Sequence, residues 1–291
     1  MQILGYFKGK SIGVAGLGYV GRHLADFLNT YSAEFQYSLS TFTRSNIEDV
    51  KGKEFDYFFN CAGNTGDFRQ KMWETIESNL FLTKYLLENI KIKEAYIALS
   101  STRLYGFSDK KDILFEENEI DSNPKSHLSI DFVYDGTKKL LESILWNLGG
   151  KVRHKIIICR LSNLYGKYTK SDLNDSTFFK LMLRSKIEDR PLKVEQNVLS
   201  TKGYIFVEDA ILGIIHSAVY AAKNNVYNIC SGESYSIGDW MRYFKIDYTL
   251  GNEINSPSYS RNSIKKAAAE LFFHPKTFLT NVSWSELFEA N

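Results

Sequence analysis

Between residues 11 and 24 the chain reads SIGVAGLGYVGRHL, a short apolar run that breaks into three glycines, Gly16, Gly18 and Gly21, and then turns amphipathic. No other feature restricts the fold as much. Gly16-Leu17-Gly18-Tyr19-Val20-Gly21 has GxGxxG spacing directly after a strand-like run and directly before a helix-like one, and in that setting each glycine has a task. One permits a tight turn, one lets a ligand approach the backbone, and one lets the helix pack closely on the strand. The helix N-terminus adds amide donors and a partial positive charge, so the predicted ligand of this turn is the pyrophosphate of a dinucleotide.

Downstream, apolar runs of strand length alternate with helical periodicity, which predicts βαβ units and a mainly parallel sheet. The strand candidates are 11–15, 37–42, 57–61, 95–99, 155–161 and 226–230. Helical patterns cover 69–90, where Met72, Ile76, Leu80, Thr83 and Leu87 share a face, and also 134–148 and 208–222. The expected fold class is α/β, a Rossmann-like doubly wound parallel sheet with a smaller C-terminal substrate-binding portion. Residues 1–165 form the first portion and 166–291 the second, with 206–230 returning to the first. Segments 107–133 and 166–203 are polar, irregular and longer than ordinary connections; both follow strands, so they are expected to shape a substrate pocket beyond the sheet's carboxyl edge.

The chain has 291 residues, 44% hydrophobic and 24% charged, which excludes disordered and fibrous classes. A net charge of +2, from 36 basic and 34 acidic residues, gives no footprint for nucleic acid or an anionic membrane. No stretch approaches the ~20 apolar residues that span a bilayer. Cys61, Cys159 and Cys230 lie far apart without CxxC pairing and read as reduced thiols in a cytoplasmic protein. The five histidines show no metal-ligand spacing, so no metal is expected.

Two residue patterns carry the chemistry. About 20 residues after the glycine loop, where NAD-binding folds offer an acid to the adenosine ribose, the chain reads Thr41-Phe42-Thr43-Arg44-Ser45. Arg44 can pair with a 2′-phosphate, which favours NADP(H) over NAD. Further on, Tyr134-Asp135-Gly136-Thr137-Lys138 is a YxxxK pattern opening a helix, with phenol and ammonium on one face. A strand before it runs into the hydroxyl-rich Ser100-Ser101-Thr102-Arg103-Leu104-Tyr105-Gly106.

At these residues the chain resembles the extended short-chain dehydrogenase/reductase family, of the NAD-dependent epimerase/dehydratase type, which holds nucleotide-sugar epimerases, dehydratases and ketoreductases. The resemblance rests on the glycine loop, 56–63 (DYFFNCAG), 100–106 (SSTRLYG), 134–138, 160–166 (RLSNLYG), 203–209 (GYIFVED), 226–236 (VYNICSGESYS) and 262–277. Ala15 departs from it, standing where many members have another glycine.

The resemblance implies that Ser101 hydrogen-bonds a substrate carbonyl, that Tyr134 exchanges the proton, and that Lys138 holds the nicotinamide ribose and lowers the tyrosine pKa. Free tyrosine titrates near ~10, so ionising it at pH 7 costs about 4 kcal/mol, which a nearby cation offsets. It further implies cofactor contacts from Gly16, Gly18, Tyr19, Val20, Gly21, Arg44, Cys61, Ala62, Gly63 and Asn79, together with Tyr134 and Lys138. Thr102, Arg103, Asn163 and Lys202 would meet a nucleotide-sugar substrate, although Arg103 could equally form a salt bridge to the 109–119 region. Subunits would pair as a homodimer through the helices carrying Asn79 and Tyr134.

Dehydratases of this family carry an Asp-Glu pair directly after the catalytic hydroxyl; here those places hold Thr102 and Arg103, which argues against dehydration. Reduction of a 4-keto-6-deoxysugar nucleotide for surface polysaccharide synthesis is the favoured expectation, on the short chain and the leaning toward NADP(H). A nucleotide-sugar 4-epimerase is the alternative. A catalytically silent NADP-binding sensor is a third reading, opposed by the retention of Ser101, Tyr134 and Lys138.

Overall fold

The structure, a computed structural model, describes residues 2–64, 68–119, 132–174, 177–251 and 255–289. After a 3-10 helix, Gln2–Phe7, the chain forms β1 (Ser11–Ala15), α1 (Tyr19–Phe35), β2 (Ser38–Phe42) and β3 (Glu54–Asn60). Next come α2 (Met72–Ile76) and α3 (Leu82–Asn89), joined by a π-helical turn, then β4 (Lys91–Ser101), α4 (Phe132–Gly149) and β5 (Lys155–Leu161). The later chain forms β6 (Asn163–Tyr165), α5 (Phe178–Ile187), β7 (Leu192–Val194), β8 (Thr201–Phe206), α6 (Val207–Tyr220) and β9 (Asn225–Ile229). It continues through β10 (Ser234–Ser236), α7 (Ile237–Phe244), β11 (Tyr248–Leu250) and α8 (Lys265–Leu271).

Six strands make a sheet in the order β2-β1-β3-β4-β5-β9, and every pairing in it is parallel. The inner strands β1, β3, β4 and β5 are buried on both sides over most of their length, which is why their apolar runs are continuous rather than alternating, while the edge strand β2 is half-exposed. On β5, Ile157, Cys159 and Leu161 join the layer under α1 and α6, while Ile156 and Ile158 join the layer under α3 and α4. Helices therefore cover both faces, as a doubly wound sheet requires. The strand order reverses between β1 and β3, and this crevice lies at the carboxyl ends, where open α/β sheets bind ligands. The link from β2 to β3 holds only a short 3-10 turn, Ile47–Val50, and among the described residues no strand pairs with the outer edge of β2.

Leaving β5 through Ser162, the chain enters a second, three-stranded sheet, β10-β8-β6, and a two-stranded one, β11-β7. These pack on a separate aromatic core built from Tyr165, Phe179, Tyr204, Phe206, Trp240 and Phe244. Here one expectation needs correcting. Segment 166–203 is not irregular throughout: it contains α5, whose Phe179, Met182 and Leu183 at i, i+3 and i+4 supply part of that core. Residues 107–119 are likewise pinned rather than loose, with Ser108 bridged to Tyr259 and Phe115 to Asn262. The rest of segment 107–133 up to residue 131 lies outside the described residues, as do 175 and 176.

Candidate active site

Each glycine of the turn shows a different physical need. Gly16 has φ +86°, and a Cβ there would sit 2.5 Å from the Ala62 backbone, so the turn after β1 is pressed against the turn after β3. At Gly21 a Cβ would lie 1.9 Å from the Gly16 carbonyl oxygen and 3.0 Å from Cys61 Cβ, which forces the helix close to the strand. Gly18 differs: a Cβ there would meet nothing within 4 Å. The open side of the turn is the side a pyrophosphate would take.

Tyr19 is committed elsewhere. Its hydroxyl donates to the Gly166 carbonyl, and its ring stacks on Tyr168 at 4.8 Å and 12°. Arg22 pairs with Asp172 at 2.9 Å, so α1 is tied at two points to the segment that follows β6. Of Tyr19 and Val20, only the backbone groups remain for a phosphate. Arg44 is exposed in the turn after β2, a turn closed by Thr43 N–H donating to Asn46 Oδ1 at 2.7 Å.

Beyond β3, Cys61, Ala62 and Gly63 line the other wall of the crevice. A Cβ on Gly63 would sit 3.2 Å from Asn79 Oδ1 and 3.4 Å from Lys138 Nζ, so this glycine, the amide and the ammonium converge on one space. Asn79 lies in the π-helical turn Glu77–Phe81, a distortion often found at functional sites. The amide is 1% exposed; its Nδ2 donates to Thr137 Oγ1 at 3.0 Å, while Oδ1 is buried without a hydrogen-bond partner among the described residues. A buried acceptor left open beside an ammonium and a glycine cradle fits the hydroxyls of a nicotinamide ribose. The residues present therefore suit a dinucleotide, which Lys138 and Asn79 would hold at the ribose and the backbone around Gly18 at the pyrophosphate.

Ser101, Tyr134 and Lys138 are all buried around the same corner of the sheet. Ser101 ends β4; its Oγ accepts the Arg103 N–H at 3.2 Å and is hydrogen-bonded to the Tyr134 phenol. Burial raises the phenol's pKa above its ordinary value, and the Ser101 bond and the Arg103 charge pull it back down. Lys138, one turn along α4, donates to the Leu99 carbonyl at 2.9 Å, and burial lowers its pKa to about 8, with the Glu142 charge opposing. The expectation that Lys138 pulls the phenol down is thus corrected, because Lys138 is turned to Leu99 and the cation acting on Tyr134 is Arg103.

Arg103 itself does not reach back to 109–119. Its Nε pairs with Asp135 at 3.1 Å, and the guanidinium lies over the rings of Phe68 and Tyr134. Thr102 is buried in the same turn. Asn163 and Lys202 are neighbours on β6 and β8: Asn163 Nδ2 donates to the Gly203 carbonyl at 2.9 Å, and Lys202 Nζ stands 5.9 Å from the Phe107 ring, just past the serine turn. Phe68, Asp135 and the buried Glu142–Arg160 pair are absent from the sequence-based list. Asp135 had a signal, being the residue next to Tyr134; so did Glu142, four residues after Lys138 on one helix face. Phe68 had none.

The model of the NAD dependent epimerase/dehydratase family matches residues 12–230, three quarters of the chain and every element just described up to β9. The chain belongs to this family. Among curated proteins, a dTDP-4-dehydro-6-deoxyglucose reductase of Escherichia coli is 25% identical over 213 residues, covering 71% of this chain and 64% of that one. This family member thus matches just under two thirds of that relative's length. Its fold is shared with the UDP-glucuronic acid 4-epimerase of Bacillus cereus, solved with UDP-glucuronic acid and NAD, at TM-score 0.73 and 22% identity over 93% of this chain and 96% of that one. It is also shared with RMD from Pseudomonas aeruginosa, solved with NADPH, at TM-score 0.74 and 18% identity over 95% and 98%. The family model is that of NAD-dependent enzymes, and these two neighbours were solved with NAD and with NADPH. Among the described residues of this member, no group of His, Cys, Asp and Glu could hold a metal, and no helix is long and apolar enough to cross a membrane.

Proposed function

We propose that the chain uses NADPH to reduce the keto group of a 4-keto-6-deoxysugar nucleotide in the cytoplasm, for surface polysaccharide synthesis. The observation that carries the reading is the meeting of Ser101, Tyr134 and Lys138 beside Gly63 and Asn79, with Thr102 and Arg103 where elimination of water would need an acid and a base. The similarity to dTDP-4-dehydro-6-deoxyglucose reductase supports the substrate class.

When bound, the nicotinamide supplies the hydride. Ser101 orients the carbonyl oxygen, and Tyr134 delivers a proton to that oxygen as negative charge builds on it, which is the task of a general acid. Lys138 holds the ribose, and the Arg103 charge balances the phenolate once the phenol ionises. Asn163 and Lys202, with residues of the second portion beyond Gly166, hold the nucleotide diphosphate of the substrate.

The test is to incubate the purified protein with NADPH and dTDP-4-dehydro-6-deoxyglucose and follow the reduced-nicotinamide absorbance and the product together. Stoichiometric loss of NADPH supports the reading. Interconversion of a nucleotide sugar without net NADPH loss would replace it with an epimerase. Binding without turnover on either substrate would leave only a sensor.

Two further expectations follow from this reading. Arg44 is exposed beside the adenosine end of the crevice, and its pairing with a 2′-phosphate is a charge-assisted bond of about 1.5–3 kcal/mol. Arg44→Ala will therefore weaken NADPH binding about tenfold or more in calorimetry while leaving NADH nearly unchanged. Equal weakening would remove Arg44 from cofactor choice. The second concerns assembly. Trp73, Phe81, Leu140 and Ile144 are exposed apolar side chains on the neighbouring helices α2, α4 and the π-helical turn, a patch of the kind that marks an interface. The proposed partner is a second copy of the chain, and Ile144→Asp will shift sedimentation from dimer to monomer. A monomeric native protein would overturn this.

A further inference from the structure

We propose that Arg103 is the positioning residue that governs the charge state of Tyr134, so that the cation preparing the proton donor comes from the turn after β4 rather than from the YxxxK lysine. The inference rests on Tyr134 being the proton donor of the proposed reductase.

The geometry is specific. The Arg103 guanidinium carbon lies 5.6 Å from the centre of the Tyr134 ring and 5.3 Å from that of Phe68, and those two rings are themselves 5.0 Å apart. The three groups thus form one stack, with the two rings buried and the guanidinium half-buried over them. Its cation is locked from the side by Asp135, whose carboxylate takes Nε at 3.1 Å and sits only 15% exposed. The same residue also arranges the hydroxyl: Arg103 N–H donates to Ser101 Oγ, which leaves the Ser101 hydrogen free to donate to the phenol oxygen.

Among the described residues, the charged groups facing the phenol are Arg103, from the turn after β4, and Asp135, on its own helix. Phe68 faces it from the segment after β3 as an apolar wall. Lys138 shares the helix but turns its ammonium to Leu99. Of the two charges, Arg103 acts on the phenol more strongly than Asp135 opposes it.

A cation on the face of a neutral ring is held by the ring's quadrupole; when the ring becomes a phenolate the attraction becomes ionic and much larger. The interaction therefore grows as the proton leaves, which is the property a catalytic aid must have. A residue serving only to pack Phe68 would not discriminate between the two states.

The experiment reads the phenol directly and requires no turnover. Protein is labelled with 3,5-difluorotyrosine, whose electron-withdrawing fluorines bring the titration into a range where the fold survives, and the Tyr134 resonance is identified by its loss in Tyr134→Phe. Fluorine NMR then follows that resonance against pH in the native protein, Arg103→Gln and Arg103→Lys. The expected result is a midpoint raised by about one to two pH units in Arg103→Gln, the range of a lost opposite charge, and by less than half as much in Arg103→Lys. Overlapping curves for native and Arg103→Gln, or equal shifts in the two variants, would overturn the proposal. Should Arg103→Gln fail to fold, Arg103→Met keeps the aliphatic stem against Phe68 and carries the same comparison. A shifted midpoint in a protein without reductase activity would sink the proposed function and leave this inference standing.

Discussion

Tyr134→Phe will bind NADPH within about threefold of the native protein and turn over at least about a hundredfold more slowly. The loss follows from removing the group proposed to give a proton to the substrate oxygen, since a positioned general acid contributes ~10²–10⁴ in rate. Binding survives because the ring remains: the contacts with Phe68 and Arg103 involve its face, while the hydroxyl's contact is with Ser101. The kinetic signature is therefore a fall in kcat with KM nearly fixed, the pattern of a group that acts in the transition state. Native-like turnover in the variant would take Tyr134 out of the chemistry. A parallel loss of NADPH affinity would mean that the phenol is structural.

The second large effect lies behind the site. Arg160, 2% exposed, gives Nε and Nη2 to the Glu142 carboxylate at 3.0 and 2.7 Å, and Nη1 to the Tyr105 hydroxyl and the Glu117 carbonyl, both at 2.8 Å. The Tyr105 hydroxyl in turn donates to Asn228 Oδ1 at 2.7 Å. One guanidinium thus joins β5, α4, the serine turn and the segment beyond it. Glu142→Ala leaves that charge buried against neutral partners only, and breaking a buried pair from one side costs about 3–5 kcal/mol. Denaturant unfolding should show that loss, and a Glu142→Met/Arg160→Met double variant should recover most of it, because the charge and its partner leave together. A loss under about 1 kcal/mol would mean that water reaches Arg160 when Glu142 is gone. The single variant also removes the charge that supports protonated Lys138, so that ammonium becomes easier to deprotonate still.

The contrast between Arg103 and the glycine loop shows what local pattern can convey. Gly16, Gly18 and Gly21 were legible because spacing, preceding strand and following helix all lie within fourteen residues. The parallel sheet was legible for a similar reason: strands buried on both faces are written as unbroken apolar runs, and β5 occupies the very residues, 155–161, that its run marks. Tyr134 and Lys138 stand one helical turn apart and read equally well. Arg103 did not, since its partner Asp135 is 32 residues away and is chosen by how α4 settles against the turn after β4. The π-helical turn around Asn79 was not legible because the face the helices bury is carried by Thr75, Asn79, Thr83 and Leu86, three of them polar, whereas of the expected stripe Met72 is exposed, Ile76, Leu80 and Leu87 are half-buried and only Thr83 is buried. Helix α5 was hidden by polar flanks on either side of a short apolar face that belongs to the second core, not to the sheet.

The central claim is that the crevice between β1 and β3 brings a nicotinamide to Tyr134 and Lys138. A crystal structure of the protein with NADPH tests it most directly. The account predicts the pyrophosphate over Gly18, the ribose hydroxyls within hydrogen-bond reach of Lys138 Nζ and Asn79 Oδ1, and the nicotinamide ring beside the Tyr134 phenol. A cofactor bound with its ring away from Tyr134, or a crevice that stays empty at saturating NADPH, would contradict it.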